Sequence, residues 1–187
     1  MRCNFTALSA TNNIEPHHRM TASQKEQEFR KLMTEHGGLI AKVCYMYATD
    51  SEHFKDLLQE VRINIWQAID KFRGESAIST WLYRITVNTC VSCYRRYNRH
   101  DAETRTVDPE QMLALANMAT TDHERLECLR ELYALINRLP ALDKAIIMMW
   151  LDERPYQEIA EVTGLSRNNV ATRINRCKRK LLDMSNS

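Results

Sequence analysis

From Thr21 onward, apolar residues recur at the three-and-four spacing of an amphipathic helix: Phe29, Leu32, Met33, Leu39, Ile40, Val43 and Cys44. The Gly37-Gly38 pair interrupts this run and predicts a kink. Asp50 and Ser51 punctuate the chain. A second stripe, Leu57, Leu58, Val61, Ile65, Ile69 and Phe72, then predicts a helix over 54–72, ended by Gly74 as a residue free to take positive φ. Ser79 or Thr80 can cap a third helix over 81–97. On this helix Leu82, Ile85, Thr89 and Cys93 form the side expected to be buried, while Trp81, Arg84, Asn88 and Arg95 recur on another.

The periodicity lapses between 100 and 122, where Asp108-Pro109 and a Thr-Thr-Asp stop predict a linker holding at most a short helix over 111–118. It resumes in four segments: 123–138, 141–151, 156–162 and 167–182. Pro140 and Pro155 open the second and third of these, where a missing N–H costs least. The expected architecture is all-α: a loose leader over 1–22, a helical domain over 23–99, a flexible linker over 100–122, and a second helical domain over 123–187 containing a helix-turn-helix.

Composition agrees with this reading. Four glycines and four prolines in 187 residues are too few for a fold that needs many tight turns. The six cysteines are scattered through periodic segments, no secretory signal precedes them, and no apolar run reaches the roughly 18 residues of a membrane span. A reduced cytoplasmic protein that is not membrane-inserted is expected. Cys90 and Cys93 form a C-x-x-C without a second pair at zinc spacing, so no metal or other cofactor is expected.

A net charge of +2 says little, because the distribution of the 26 Lys and Arg matters more. Within PYQEIAEVTGLSRNNVATRINRCKRKLL a short apolar face is followed by Gly164, the inward Leu165 and the cap Ser166, the layout of a helix-turn-helix. Six Lys or Arg and no acid lie between Ser166 and Lys180, as on a helix that tracks phosphates. Asn168, Asn169, Thr172, Arg173 and Arg176 are candidate base or phosphate contacts, since Asn pairs with adenine and Arg with guanine.

A second basic patch, Tyr94-Arg95-Arg96-Tyr97-Asn98-Arg99, continues the Trp81, Arg84 and Asn88 face. Interleaved rings and cations suit single-stranded nucleic acid, with core aromatics as the alternative for Trp81, Tyr94 and Tyr97. No phosphate loop, H-E-x-x-H or G-x-S-x-G motif is present, so no enzymatic activity and no catalytic residue is expected.

At 55–99 the sequence KDLLQEVRINIWQAIDKFRGESAISTWLYRITVNTCVSCYRRYNR, with Leu139-Pro140 and the later PYQEIA, resembles the extracytoplasmic-function group of bacterial sigma factors, small two-domain members of the sigma-seventy family. The resemblance runs over about 26–182. It implies a promoter-specificity subunit that binds core RNA polymerase, recognises two promoter elements as duplex and as single strand, opens the duplex and then dissociates. An anti-sigma factor is a further implied partner. The alternative is a helix-turn-helix regulator that acts without binding core polymerase; a module that sequesters a partner protein is a third reading, against which the acid-free helix counts.

The resemblance also implies roles. Asp56, Leu57, Gln59, Glu60, Val61, Asn64 and Trp66 match the polymerase-binding helix, which docks on the clamp coiled coil of the largest subunit, while the second domain meets the flap of the second subunit. Core packing is the alternative for Leu57 and Val61. Phe72, Arg73, Ser76, Thr80, Trp81, Arg84, Asn88, Arg95 and Arg96 fall on the part that captures the minus-ten strand, with Asn88 the strongest candidate for a flipped base. Arg167, Asn168, Asn169, Thr172, Arg173, Arg176 and Lys180 fall on the minus-thirty-five reader. Ala171 stands where the family often has Arg, Asn168-Asn169 replace a Gly-Thr-like pair, and Ile78 replaces an aromatic, so the promoter sequence is not carried over.

Overall fold

The computed structural model describes residues 20–97 and 123–186. Among them the chain is helical without strands: α1 (Ala22–Tyr47), α2 (Ser51–Ala68) with a 3-10 turn (Ile69–Lys71), α3 (Ile78–Tyr97), α4 (His123–Asn137), α5 (Ala141–Leu151), α6 (Tyr156–Thr163) and α7 (Arg167–Ser185). The leader and the linker helix expected over 111–118 lie outside the described residues.

Local chemistry sets the helix ends. Thr21 caps α1 through a reciprocal box: its hydroxyl accepts from the Gln24 N–H at 3.2 Å and the Gln24 side chain accepts from the Thr21 N–H at 2.9 Å. Asp50 caps α2 by accepting from the His53 N–H at 2.8 Å, and this bond holds the Asp50 carboxyl below its ordinary range. Gly74 and Gly164 take φ of +70° and +71°, the left-handed conformation their turns require.

Helix α1 is continuous through Gly37-Gly38, and the stripes before and after the pair enter one core. One expectation is corrected. Helix α3 starts at Ile78, so neither Ser79 nor Thr80 is its cap; both lie in its first turn and bond to the second lobe.

Helices α1, α2 and α3 pack together as the first lobe, and α4 to α7 as the second. Their buried residues form one continuous cluster. Helix α3 meets α5 and α6 as well as α1 and α2, and α1 meets α4 and α5. A second buried stripe therefore runs down α3 beside the expected one: Thr80, Tyr83, Val87 and Cys90, with the half-buried Tyr94 continuing it. Tyr94 stands edge-on to Tyr47 with centroids 6.0 Å apart, which makes it a core aromatic and not part of an exposed basic patch.

Polar contacts cross the junction. The Tyr47 hydroxyl donates to the Ala141 carbonyl at 2.6 Å, and Asp152 accepts from both Lys42 and Tyr83. The turn that presents Asp152 is a helix C-cap: Glu153 at φ +56° allows the Arg154 N–H to reach the Met149 carbonyl and the Glu153 N–H to reach Trp150, both at 3.0 Å. Arg154 then lies over the Tyr83 ring, 5.4 Å from its centroid.

Lys144 is only 2% exposed. Its ammonium bonds Asn137 Oδ1 at 3.1 Å and lies 4.9 Å from the Tyr94 ring centroid, across the junction. Burial pushes its pKa down to about 8. A lysine that binds its proton less tightly when folded costs stability while charged, and that cost fades as pH rises from 8 toward the unfolded value of about 10.4. The buried Cys90 and Cys177 thiols, both shifted upward, act in the opposite sense over the same interval, so the comparison needs a reference variant. Relative to Lys144→Met, the wild-type chain should gain on the order of 2 kcal/mol between pH 7 and 9.5. Paired urea melts at each pH measure the difference, and parallel profiles would contradict it.

Candidate nucleic-acid interface

The loop between the 3-10 turn and α3 borders a cleft of about 460 Å³ lined by Lys71, Phe72, Arg73, Glu75, Ser76, Trp81 and Arg84, together with Glu161 of α6. Phe72 and Trp81 pack as a tilted pair, centroids 5.1 Å apart, so a ring platform stands among three cations. Beyond it, Arg84, Asn88 and Arg95 are exposed and recur along α3 at four- and seven-residue spacing. Flat rings beside cations can stack a base and hold its phosphates.

Two expected members lie elsewhere. Thr80 is buried, its hydroxyl donating to Glu158 Oε1 at 2.8 Å. Arg96 turns to another cleft, of about 350 Å³, whose lining includes His53, Asp56, Gln59, Glu60, Ile63 and Cys93; there it donates to Cys93 Sγ at 3.1 Å. Cys93 thus faces this cleft while Cys90 bonds Cys44, their sulfurs 3.9 Å apart, so the C-x-x-C residues have different neighbours.

The same cleft sorts the α2 residues. Asp56, Gln59 and Glu60 are exposed along it, and the exposed Ile63, which the sequence reading passed over, adds an apolar contact. Leu57 and Val61 are 1% and 0% exposed, so they are core residues that seat α2 and not surface anchors. Asn64 donates to Thr89 Oγ1 at 2.9 Å, tying α2 to α3. Trp66 is partly exposed, edge-on to Phe29 at 5.3 Å and beneath Lys25.

In the second lobe Gly164 turns the chain and Ser166 caps α7, its hydroxyl accepting from the Asn169 N–H at 3.3 Å. Val170, Ile174 and Cys177 are buried, leaving Arg167, Asn168, Asn169 and Thr172 exposed on the first turns, with Lys180 exposed further on. Arg173 and Arg176 differ: both bond Asp143 of α5, at 2.5 and 3.1 Å, and that carboxylate is 1% exposed. Lys178 lies 3.9 Å from the Trp150 ring centroid. The basic helix is therefore divided into a solvent-facing edge and a flank fastened to α5. Asp143 and Trp150, which fasten it, read in the sequence as ordinary members of an apolar helix.

This geometry, two helical lobes with a ring-and-cation cleft in one and a helix-turn-helix in the other, defines a nucleic-acid-binding protein. The comparisons make the class specific. Residues 32–100 match the family described as Sigma-70 region 2, and residues 129–181 match Sigma-70, region 4. The ECF RNA polymerase sigma-E factor of Escherichia coli strain K12 is 32% identical over 161 residues, covering 82% of this chain and 84% of that protein. The protein of the same name from Haemophilus influenzae is 30% identical over 165 residues, covering 82% and 85%. A Bartonella quintana sigma factor RpoE, solved in complex with the anti-sigma factor NepR, matches in fold with a TM-score of 0.63 at 16% identity, covering 86% of this chain and 98% of that one. CnrH, solved with the cytosolic domain of CnrY, matches with a TM-score of 0.60 at 23% identity, covering 88% and 92%.

The chain belongs to the extracytoplasmic-function group of the sigma-seventy family. It is an RNA polymerase sigma factor, and a helix-turn-helix regulator independent of polymerase is not favoured.

The Asp143 cluster changes how the basic helix must be tested. Removing both arginines leaves the buried Asp143 carboxylate uncompensated, at a cost of about 3 kcal/mol. Arg173→Ala with Arg176→Ala should therefore lower stability by about that amount, whereas Asn168→Ala with Asn169→Ala should move it by under about 0.5 kcal/mol. Thermal melts of the two variants check this, and equal melting points would refute the anchoring role.

Proposed function

We propose that this sigma factor divides its work between the two surfaces just described: α3 and its preceding loop hold the opened minus-ten strand, and the exposed edge of α7 reads the minus-thirty-five duplex. The observation that carries the first half is the strip of Trp81, Arg84, Asn88 and Arg95 leading to the Phe72 and Arg73 cleft. On the duplex side, Arg167, Asn168, Asn169 and Thr172 are the base readers, with Lys180 on phosphate; Arg173 and Arg176 reach the backbone from the side while keeping Asp143 neutralised.

The α2 edge of Asp56, Gln59 and Glu60, with Ile63 and Trp66 as apolar contacts, is the surface for the clamp coiled coil of core polymerase, and the second lobe meets the flap. An anti-sigma factor is a further partner; two proteins of like fold were solved with partners of their own, RpoE with the anti-sigma factor NepR and CnrH with CnrY. The protein works in the cytoplasm, where polymerase is, and has no enzymatic activity. No described helix is long and apolar enough to cross a membrane.

The experiment that tests the whole reading is transcription by purified core polymerase from a cognate promoter, with and without this chain. Within it, two variants separate the steps. Asp56→Ala with Gln59→Ala should weaken binding to core, measured by titration, while the melting temperature holds. A core affinity equal to the parent's would move the docking surface away from α2.

Asn88→Ala addresses opening. Extruding a base costs a few kcal/mol of stacking, so a lost amide contact should impair transcription from duplex promoters more than from templates with a pre-melted bubble. Permanganate footprinting beside run-off transcription on both templates reads the difference. Parent-like opening by the variant would show that Asn88 does not capture a base.

A further inference from the structure

The C-x-x-C of α3 has no part in promoter recognition as read above, and the fold divides its two thiols. Cys93 lines the cleft beside α2 and accepts from Arg96. Cys90 lies in the core, and its thiol donates to Cys44 Sγ of α1 at 3.9 Å. Both of these residues are 0% exposed. The sulfur that Cys90 meets is therefore not its neighbour in sequence but one on another helix, 46 positions away.

We propose that Cys44 and Cys90 are a redox couple, a modification site in the core of the first lobe at which hydrogen peroxide produces a disulfide between α1 and α3. Bonded sulfurs are about 2.05 Å apart, so each must advance by roughly 0.9 Å, which modest turns about the two Cα–Cβ bonds supply. The chemistry balances. Peroxide oxidises one thiol to a sulfenic acid and is itself reduced to water; the facing thiol attacks that sulfur, the S–S bond forms, and the hydroxyl leaves with the second thiol proton as another water. The hydrogen bond to Cys44, together with burial, pushes the Cys90 thiol up and keeps it protonated at rest. Reaction is accordingly slow while the core is closed and proceeds through local opening, so the couple answers sustained oxidant.

The position of the pair gives the bond its consequence. Helix α2, the 3-10 turn and the loop that borders the ring-and-cation cleft all lie between the two cysteines in sequence. A Cys44–Cys90 bond closes that whole segment at its base. Neither cysteine lines the α2 cleft or the ring-and-cation cleft, so the bond braces the lobe and leaves both surfaces free. In a reducing compartment it is temporary and lasts as long as the oxidant does.

The full chain, first reduced, is treated with hydrogen peroxide; remaining thiols are alkylated in denaturant, and tryptic peptides are mapped by mass spectrometry without reduction. The peptide holding Cys44 should appear joined to the one holding Cys90 and Cys93. The link should persist in Cys93→Ser and be absent from Cys90→Ser and from Cys44→Ser. The oxidised chain should melt roughly 5 °C or more above the reduced one, as expected when a loop of this length is closed in the unfolded state, and dithiothreitol should reverse the shift. Oxidised and reduced Cys93→Ser chains should bind core polymerase equally.

Free Cys44 and Cys90 thiols in a sample whose exposed Cys128 is fully oxidised would overturn the couple. A link from Cys90 to Cys93 in place of Cys44 would do the same. A Cys44–Cys90 link without a rise in melting temperature would overturn the bracing, and unequal binding of core polymerase would overturn the statement that the bond leaves the surfaces free.

Discussion

Two neighbouring charges on α5, Asp143 and Lys144, are both buried, and a buried charge must find a partner or lose its ionisation. They leave the helix about 100° apart and so face different elements. Asp143 faces α7, where Arg173 and Arg176 close on it, and Lys144 faces the rings of Tyr47 and Tyr94 in the first lobe. One helix thus fastens the recognition helix on one side and docks its own lobe on the other. The two charges are not equivalent. Asp143 is matched by two guanidinium groups, whereas Lys144 has an amide and two ring faces, and its burial lowers its pKa.

That docking explains the character of α3. A helix covered only by α1 and α2 would bury one stripe and leave the rest to solvent. Covered also by α5 and α6, it buries a second, on which Tyr83 and Thr80 need polar partners. Asp152 and Glu158 supply them from the second lobe, and burial together with the Asp152 bond drives the Tyr83 phenol well above its ordinary range. The junction is consequently part apolar and part polar. Such an interface can be specific in its register and still be separable, because its polar groups regain water when the lobes part.

The functional surfaces differ in how they are held. The edge of α7 offers short amides and an arginine on a capped first turn, supported from behind by two arginines closing on the buried Asp143 carboxylate. The cleft in the first lobe is built on a glycine-ended turn with a ring pair at its base. The proposed duplex reader is thus a braced rod, and the proposed strand seat a cleft beside a turn.

Much of this was legible along the chain. The three-and-four periodicity predicted all seven helices among the described residues, and those of the second lobe to within about three residues, because Pro140, Pro155, Gly164 and Ser166 mark their ends by local backbone chemistry. The helix-turn-helix and its acid-free basic stretch were legible for the same reason: cap, turn and charge are properties of neighbours in sequence. Periodicity at 57 and 61 left core and surface open for Leu57 and Val61, since it reports which side is apolar and not what lies against it. What only the tertiary structure decided are the partnerships between distant positions: Arg173 with Asp143 across 30 residues, Thr80 with Glu158 across 78, and Lys42 with Asp152 across 110. No local pattern encodes which acid meets which base. That is settled only when the apolar stripes close and bring the few remaining polar groups within reach of one another.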